Sequence, residues 1–376
     1  MEYREQDLMR LAKRVNNAKR AYLIVNPLQG KHVPVSPTAS LAMMGALGDL
    51  LARAHPRADL VIGFAETATA VGAAVAARLP GPAAYLHTTR EAFALSGPRI
   101  DFLEEHSHAA NQSLCAARLG DYLAQAREIA LVDDEFSTGK TLINMVRQLR
   151  RAYPMAADKP VTAVSIISRL TPERKGELAA AGIDSLSLLS LPDRDESARV
   201  APWQVETAGW PQHAADASPS LRFLPAPALP DPRRGTEDAA GYLAACREAA
   251  RGLLGDLSLP ANCGRAVVLG TEECMLPGLC LGQVMEENGV ASQVRFHATT
   301  RSPIGVRSAA GYPIQNGFRL HSFYEDSRET YLYNIAPCDA LLIWTDSPAA
   351  SCVRAAARDA AALFSPPGGV TVIGGA

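Results

Sequence analysis

Two adjacent carboxylates, Asp133 and Asp134, stand three residues before a run of small hydroxyl residues in Ile129-Ala-Leu-Val-Asp-Asp-Glu-Phe-Ser-Thr-Gly-Lys-Thr141. The apolar start reads as a buried strand. The stretch Ser137, Thr138, Gly139, Lys140, Thr141 reads as a tight loop that opens a helix. Each part suits one portion of a phosphorylated sugar. The acids present acceptors to vicinal hydroxyls, and the loop offers backbone N–H groups, hydroxyls and a helix N-terminus to a phosphate. Hydrogen bonds to a charged group contribute roughly 1.5–3 kcal/mol each, so three or four such donors can dominate affinity for a phosphate ester.

Two other readings compete for this stretch. A P-loop would need its first glycine where Asp134 stands, so Gly139-Lys140-Thr141 is not a Walker A motif. A carboxylate there would also repel the phosphates that a P-loop cradles. The plainer alternative is a core strand running into an N-capped helix. Capping asks for one polar residue, whereas nearly every residue from Asp133 to Thr141 is polar or glycine.

Other groups with chemical potential follow strands nearby. Gly63-Phe-Ala-Glu-Thr-Ala-Thr-Ala70 leaves an apolar run and opens a helix, so Glu66, Thr67, Ala68 and Thr69 form a small-residue loop with free N–H groups. Its plain alternative is a strand–helix turn capped by Thr67 or Thr69. His87, Thr88, Thr89 and Arg90 leave another strand, and Arg90 could clamp an anion bidentately. Glu104, Glu105, His106 and His108 suit a lid. Their His-x-His beside two carboxylates also has transition-metal chemistry, and solvated surface charge is the plain alternative. Asn26 to Pro34 is a polar loop that could belong to a hood over an acceptor.

Alternating strands and helices must position these groups. Expected strands are Asp59–Phe64, Ala83–Leu86, Ala130–Val132, Val161–Ile167 and Leu186–Leu191. Expected helices are Leu41–Ala54, Ala68–Leu79, Thr141–Arg151 and Pro172–Ala181. Such βαβ alternation implies an α/β fold with a mostly parallel sheet and ligands at the carboxyl ends of its strands. Prolines at 202, 211, 219, 225, 227, 230 and 232 then indicate an extended linker or wrap. Periodicity returns with a helix over Tyr242–Leu254, a strand over Arg265–Leu269 and a helix over Leu276–Asn288. Strands over Gln293–Phe296 and Ala340–Trp344 follow. The expected division is 1–200, a Pro-rich linker over 201–235, and a second α/β domain over 236–376.

At 376 residues the chain can bury two cores. Its 37 basic and 39 acidic residues are balanced and favour neither nucleic acid nor a membrane surface as partner. The charged opening Met1 to Asp7 offers no apolar run for a signal peptide, and no segment reaches membrane-spanning length. Seven scattered cysteines without a C-x-x-C pair point to reduced thiols in a cytoplasmic setting.

The stretch Ile129 to Thr141 closely resembles the signature of type I phosphoribosyltransferases. Only Glu135 and Lys140 depart from it, where small or aliphatic residues are more usual. Thr300-Arg-Ser-Pro303 is similar to the motif that names the TRSP domain. That domain follows an orotate phosphoribosyltransferase-like domain in a family encoded beside bacterial tellurium-resistance genes. The resemblance implies the type I phosphoribosyltransferase fold, with flanking helices and a hood. It makes Asp133 and Asp134 ribose ligands and catalytic residues together with Arg90. It gives Ser137 to Thr141 the 5′-phosphate and Glu66 to Thr69 the pyrophosphate, with Mg²⁺ held mainly through substrate and Glu66 as a candidate protein ligand. It further implies phosphoribosyl pyrophosphate and an unidentified acceptor as partners, a homodimer, and formation or pyrophosphorolysis of an N-ribosidic, nucleotide-like compound. A non-catalytic nucleotide-sensing regulator on the same fold is the alternative. A generic Rossmann enzyme is weak, because no G-x-G-x-x-G follows the first strand.

The two halves also echo each other. Gly63-Phe-Ala-Glu-Thr has a counterpart in Gly270-Thr-Glu-Glu-Cys, His87-Thr-Thr-Arg90 in Ala298-Thr-Thr-Arg301, and Val132-Asp-Asp in Trp344-Thr-Asp-Ser. Thr88 to Asp133 is 45 residues and Thr299 to Asp346 is 47. The second domain is therefore expected to be a degenerate copy without the phosphate loop. Glu272, Glu273, Thr300, Arg301 and Ser302 are candidates for a second ligand site, and Arg301 could equally be a structural anion partner.

Overall fold

The structure, a computed structural model, describes residues 2–15, 20–91, 99–102, 112–115, 117–212 and 220–375. The chain begins with a helical turn, α1 (Glu5–Leu8), and an antiparallel pair, β1 (Arg10–Lys13) and β2 (Tyr22–Val25). Helix α2 (Pro37–Ala54) leads into β3 (Leu60–Gly63), α3 (Thr69–Ala76) and β4 (Ala84–His87). A second antiparallel pair follows, β5 (Arg99–Phe102) and β6 (Gln112–Cys115). Next come α4 (Leu119–Gln125), β7 (Ile129–Phe136), α5 (Lys140–Ala152), β8 (Val161–Ser168), α6 (Pro172–Ala180), β9 (Ile183–Ser190) and the turn α7 (Ser197–Val200). The remaining elements are β10 (Leu221–Leu224), α8 (Ala239–Leu253), β11 (Arg265–Gly270), α9 (Leu276–Glu287) and β12 (Gln293–Ala298). The chain closes with the pair β13 (Gly317–His321) and β14 (Glu329–Tyr333), then β15 (Ala340–Trp344), α10 (Ala350–Phe364) and β16 (Val370–Ile373).

By contacts the chain forms two units. The first comprises the residues up to Glu5, Ala42–Arg194 and Leu229–Ala245, and the second Gln6–Leu41, Asp195–Ala228 and Cys246–Ala376. The polar loop Asn26 to Pro34 thus belongs with the second unit, and the segment after Leu229 with the first.

The first unit is built on a parallel sheet of order β4-β3-β7-β8-β9. Its strands are short apolar runs because both faces are covered, as parallel sheets require. Helix α5 turns Leu142, Met145, Val146 and Leu149 inward at helical spacing, and they join Ile129, Leu131, Val161 and Ala163 in the core. Helix α6 starts where Thr171 accepts the Arg174 N–H (3.2 Å) and Pro172 fills the first turn.

The second unit carries a parallel sheet of order β12-β11-β15-β16-β10. In the first unit an antiparallel pair interrupts the chain between β4 and β7, and in the second one interrupts it between β12 and β15. Thr89 bridges Ser113 of the first pair, and Thr300 bridges Tyr331 of the other. Gly63 registers with Val132 and Gly270 with Trp344. The motif pairs read from the sequence therefore fall on equivalent strands of one repeated arrangement. The two sheets differ at one edge. β9 follows β8 in the chain, whereas β10 precedes the rest of its sheet and comes from the proline-rich stretch.

Candidate functional site

Three loops leave the same edge of the first sheet, because β3, β4 and β7 run parallel and in register at Gly63, His87 and Val132. Strand β7 continues beyond the expected Val132, through both aspartates to Phe136. Asp133 and Asp134 are half-buried at its carboxyl end, where the Asp134 N–H donates to Asp133 Oδ1 (2.9 Å). Burial drives both carboxyls above the usual range. Asp133 rises well above it, because the adjacent Asp134 charge adds to the burial.

Beyond the acids the backbone turns sharply. Gly139 takes φ of +71°, a left-handed conformation, and a Cβ there would stand 3.3 Å from the Leu178 side chain. It is the N-cap of α5 and has no side chain to cap that helix, while the Lys140 N–H donates to Thr138 Oγ1 (3.5 Å). The positive end of this 13-residue helix opens at the strand end, with Thr138, Lys140 and Thr141 exposed and Ser137 half-buried around it.

The loop after β3 is more enclosed. Glu66 is 6% exposed, Ala68 is fully buried and Thr69 is 4% exposed, which leaves Thr67 as its half-exposed residue. The Ala65–Glu66 peptide is cis. The loop is pinned from β4. Thr88 Oγ1 accepts the Ala65 N–H (2.8 Å), the Thr88 N–H donates to the Gly63 carbonyl (2.9 Å), and the Tyr85 hydroxyl donates to the Thr69 carbonyl (2.5 Å). His87 and Thr89 are buried as well, with Thr89 Oγ1 accepting the Glu91 N–H (3.0 Å), and Arg90 is half-buried. Glu104, Glu105, His106 and His108 lie outside the described residues. Among the described residues no group of three or more His, Cys, Asp and Glu could hold a metal ion by itself.

The second unit keeps the strand-end geometry and fills it with protein. Thr299 Oγ1 accepts the Glu272 N–H (2.9 Å), and the Thr299 N–H donates to the Gly270 carbonyl (3.1 Å). Glu272 is fully buried. Its carboxylate meets Arg301 Nε (2.6 Å), Arg328 Nη2 (3.1 Å) and the Ser322 hydroxyl (2.9 Å), while its carbonyl accepts Lys31 Nζ (2.7 Å). Thr345 and Asp346 match Asp133 and Asp134 by register. Thr271 Oγ1 donates to Thr345 Oγ1 (3.0 Å), and the Tyr324 hydroxyl donates to Asp346 (2.6 Å). Glu273 and Thr300 are buried, and the Ser302 carbonyl accepts the Tyr333 hydroxyl (2.7 Å). Helix α10 then starts at Ala350, with no glycine loop before it.

One residue beside the first site escaped the reading of the sequence. Arg169, at the end of β8, is 1% exposed and lies 3.8 Å from Glu135 and 3.3 Å from Asp193. Its only signal was an arginine directly after an eight-residue buried strand.

A parallel sheet with two acids and a glycine-led helix start at one strand end, flanked by two further strand-end loops, defines a domain of phosphoribosyltransferase type. Residues 8–188 match the family model described as phosphoribosyl transferase, and residues 234–357 match the TRSP domain found C-terminal to it. The two matches follow one another in the order that the second description gives, a TRSP domain C-terminal to a phosphoribosyl transferase domain. No curated protein matches it. Among solved structures it is similar to orotate phosphoribosyltransferase from Aeropyrum pernix, at 17% identity over 48% of this chain and 88% of that one, TM-score 0.31. It is also similar to adenine phosphoribosyltransferase from Trypanosoma brucei, solved with AMP, pyrophosphate and ribose 5-phosphate. There the identity is 16% over 50% and 80% of the two chains, TM-score 0.35.

Proposed function

We propose that the first unit transfers a phosphoribosyl group from phosphoribosyl pyrophosphate to a nitrogenous acceptor, with Mg²⁺, or runs the reverse pyrophosphorolysis. The observation that carries this is the joining of Asp133 and Asp134 at the end of β7 to the left-handed glycine turn that opens α5 at Gly139. An anion seated on those amides places the sugar of the same molecule beside the acids.

In the forward direction the C1–oxygen bond to pyrophosphate breaks and a C1–nitrogen bond forms, with the acceptor's proton released to solvent. Ser137 to Thr141 hold the 5′-phosphate, and Asp133 and Asp134 accept hydrogen bonds from the ribose hydroxyls. Their negative charge lies where positive charge builds on the sugar. The Thr88-pinned loop from Glu66 to Thr69 receives the pyrophosphate, and Arg90 adds a forked cation. Among the described residues no group of three or more His, Cys, Asp and Glu could hold a metal by itself, so Mg²⁺ would be held mainly through substrate, with Glu66 as the carboxylate of the loop beside it, and would neutralise the leaving group.

We assign the transferase module to residues 1–200 and the TRSP module to 236–376, joined over 201–235. We place the protein in the cytoplasm as a homodimer, in a biosynthetic pathway linked to tellurium resistance or stress. Incubating the chain with Mg²⁺, phosphoribosyl pyrophosphate and a panel of nitrogenous acceptors tests the activity. Acceptor-dependent release of pyrophosphate is the expected result. Binding without release from any acceptor would make the protein a sensor instead.

A further inference from the structure

Arg169 has no part in the chemistry above, yet it is the most thoroughly buried cation beside the β7 end, at 1% exposure. A guanidinium is rarely so enclosed unless it is paired. The Arg169 backbone N–H donates to the Phe136 carbonyl (2.7 Å), which fixes the side chain's origin beside the end of β7. Its Nη1 lies 3.8 Å from Glu135 Oε1, and its Nη2 lies 3.3 Å from Asp193 Oδ1 and donates to the Arg194 carbonyl. The Ser168 carbonyl accepts the Leu191 N–H (2.8 Å), which holds the chain after β9 against the end of β8. One side chain therefore ties the third carboxylate of β7 to residues beyond β9.

Glu135 needs such a tie. It follows Asp133 and Asp134 directly, and strand alternation places it on the same face as Asp133. Its side chain is 13% exposed, so water screens it little. Its charge is among the causes that raise both aspartates, behind their burial. Three uncompensated carboxylates abreast would repel a ligand that carries phosphates. In the second unit the matching position is Ser347, which brings no charge to cancel.

We propose that Arg169 is a positioning residue of the transferase site: it offsets the Glu135 charge and holds that carboxylate, so that Asp133 and Asp134 dominate the charge presented to the sugar phosphate. This rests on the transferase reading. It is tested by calorimetric titration of the full chain with Mg²⁺ and phosphoribosyl pyrophosphate. Arg169→Gln frees the Glu135 charge, and a unit charge several ångströms from a polyanion near a protein surface should weaken binding on the order of tenfold. Arg169→Gln with Glu135→Gln should return towards wild-type affinity, a rescue that a purely structural arginine would not show. Equal affinity in Arg169→Gln and wild type, or a double variant as weak as the single one, overturns the proposal. Should Arg169→Gln fail to fold, Glu135→Gln carries the test. It leaves the arginine's charge in place and should bind as tightly as wild type or tighter, and a tenfold loss overturns the proposal. A wild-type chain that binds no ligand overturns the transferase reading, and this inference with it. Wild-type binding with an indifferent Arg169→Gln overturns this inference alone.

Discussion

Thr299 does for Glu272 what Thr88 does for Ala65. Each hydroxyl accepts the amide proton of the second residue after a neighbouring strand, at 2.9 Å and 2.8 Å. Both threonines are fully buried, so each bond fixes a loop that water cannot reach. The same device holds the loop at the corresponding strand end of each sheet.

Thr88→Val and Thr299→Val should each cost about 1–3 kcal/mol of stability, because each leaves a buried N–H without its acceptor. Their effects on function should diverge. Thr88→Val releases the loop from Glu66 to Thr69 and should weaken binding of phosphoribosyl pyrophosphate, whereas Thr299→Val should leave it unchanged. Denaturant unfolding beside ligand titration separates the two.

Asp133→Asn with Asp134→Asn should abolish pyrophosphate release and raise thermal stability at pH 7. The sign follows from the raised carboxyls. A carboxyl held above its ordinary value near 3.8 folds most favourably when protonated, and that advantage is lost as pH rises through the folded-state value. At pH 7 the ionised pair therefore opposes folding, and the amides remove that cost. A gain of a few degrees in melting temperature is expected for a domain of this size. A melting point that falls would contradict the burial argument.

Arg301→Ala should destabilise the second unit by about 3 kcal/mol, the low end for breaking a buried ion pair, because Arg328 stays on Glu272. Ligand affinity of the first unit should not change. Arg301 then anchors a buried carboxylate, and the four residues Thr300 to Pro303 owe their pattern to packing. A binding loss without a stability loss would place Arg301 at a ligand.

His297 sets an acid limit on the second unit. Burial lowers its pKa to about 4, with Nε2 donating to the Tyr333 carbonyl (2.6 Å) and Nδ1 accepting the Ala298 N–H (2.9 Å). A depressed histidine contributes stability above its unfolded value of 6.5 and loses it as pH falls towards 4. The loss over that window should approach about 3 kcal/mol. His297→Gln can keep the bond to Tyr333 and should flatten the acid side of the stability–pH curve, as measured by urea unfolding from pH 7 to pH 4.

Much of both sheets was legible because buried parallel strands are short apolar runs. Val161–Ser168 and Ala340–Trp344 were placed nearly to the residue. β7 ran four residues past its expected end, since Asp133 to Phe136 read as loop chemistry yet pair with β8. The β13–β14 pair was missed because His321, Ser322 and Glu325 to Ser327 break any apolar pattern around short strands. β10 hid among prolines, which an edge strand tolerates. The acid pair and phosphate loop could be read because they are contiguous. Arg169 could not, because its partners Glu135 and Asp193 lie 34 and 24 residues away and meet it only once the strands align.

The central claim is that the β7–α5 junction seats phosphoribosyl pyrophosphate. Calorimetric titration of the full chain with that compound and Mg²⁺, wild type beside Asp133→Asn with Asp134→Asn, tests it most directly. Saturable binding in the wild type that is lost in the folded double variant is the predicted result. No binding by the wild type, or equal binding by both proteins, would contradict it.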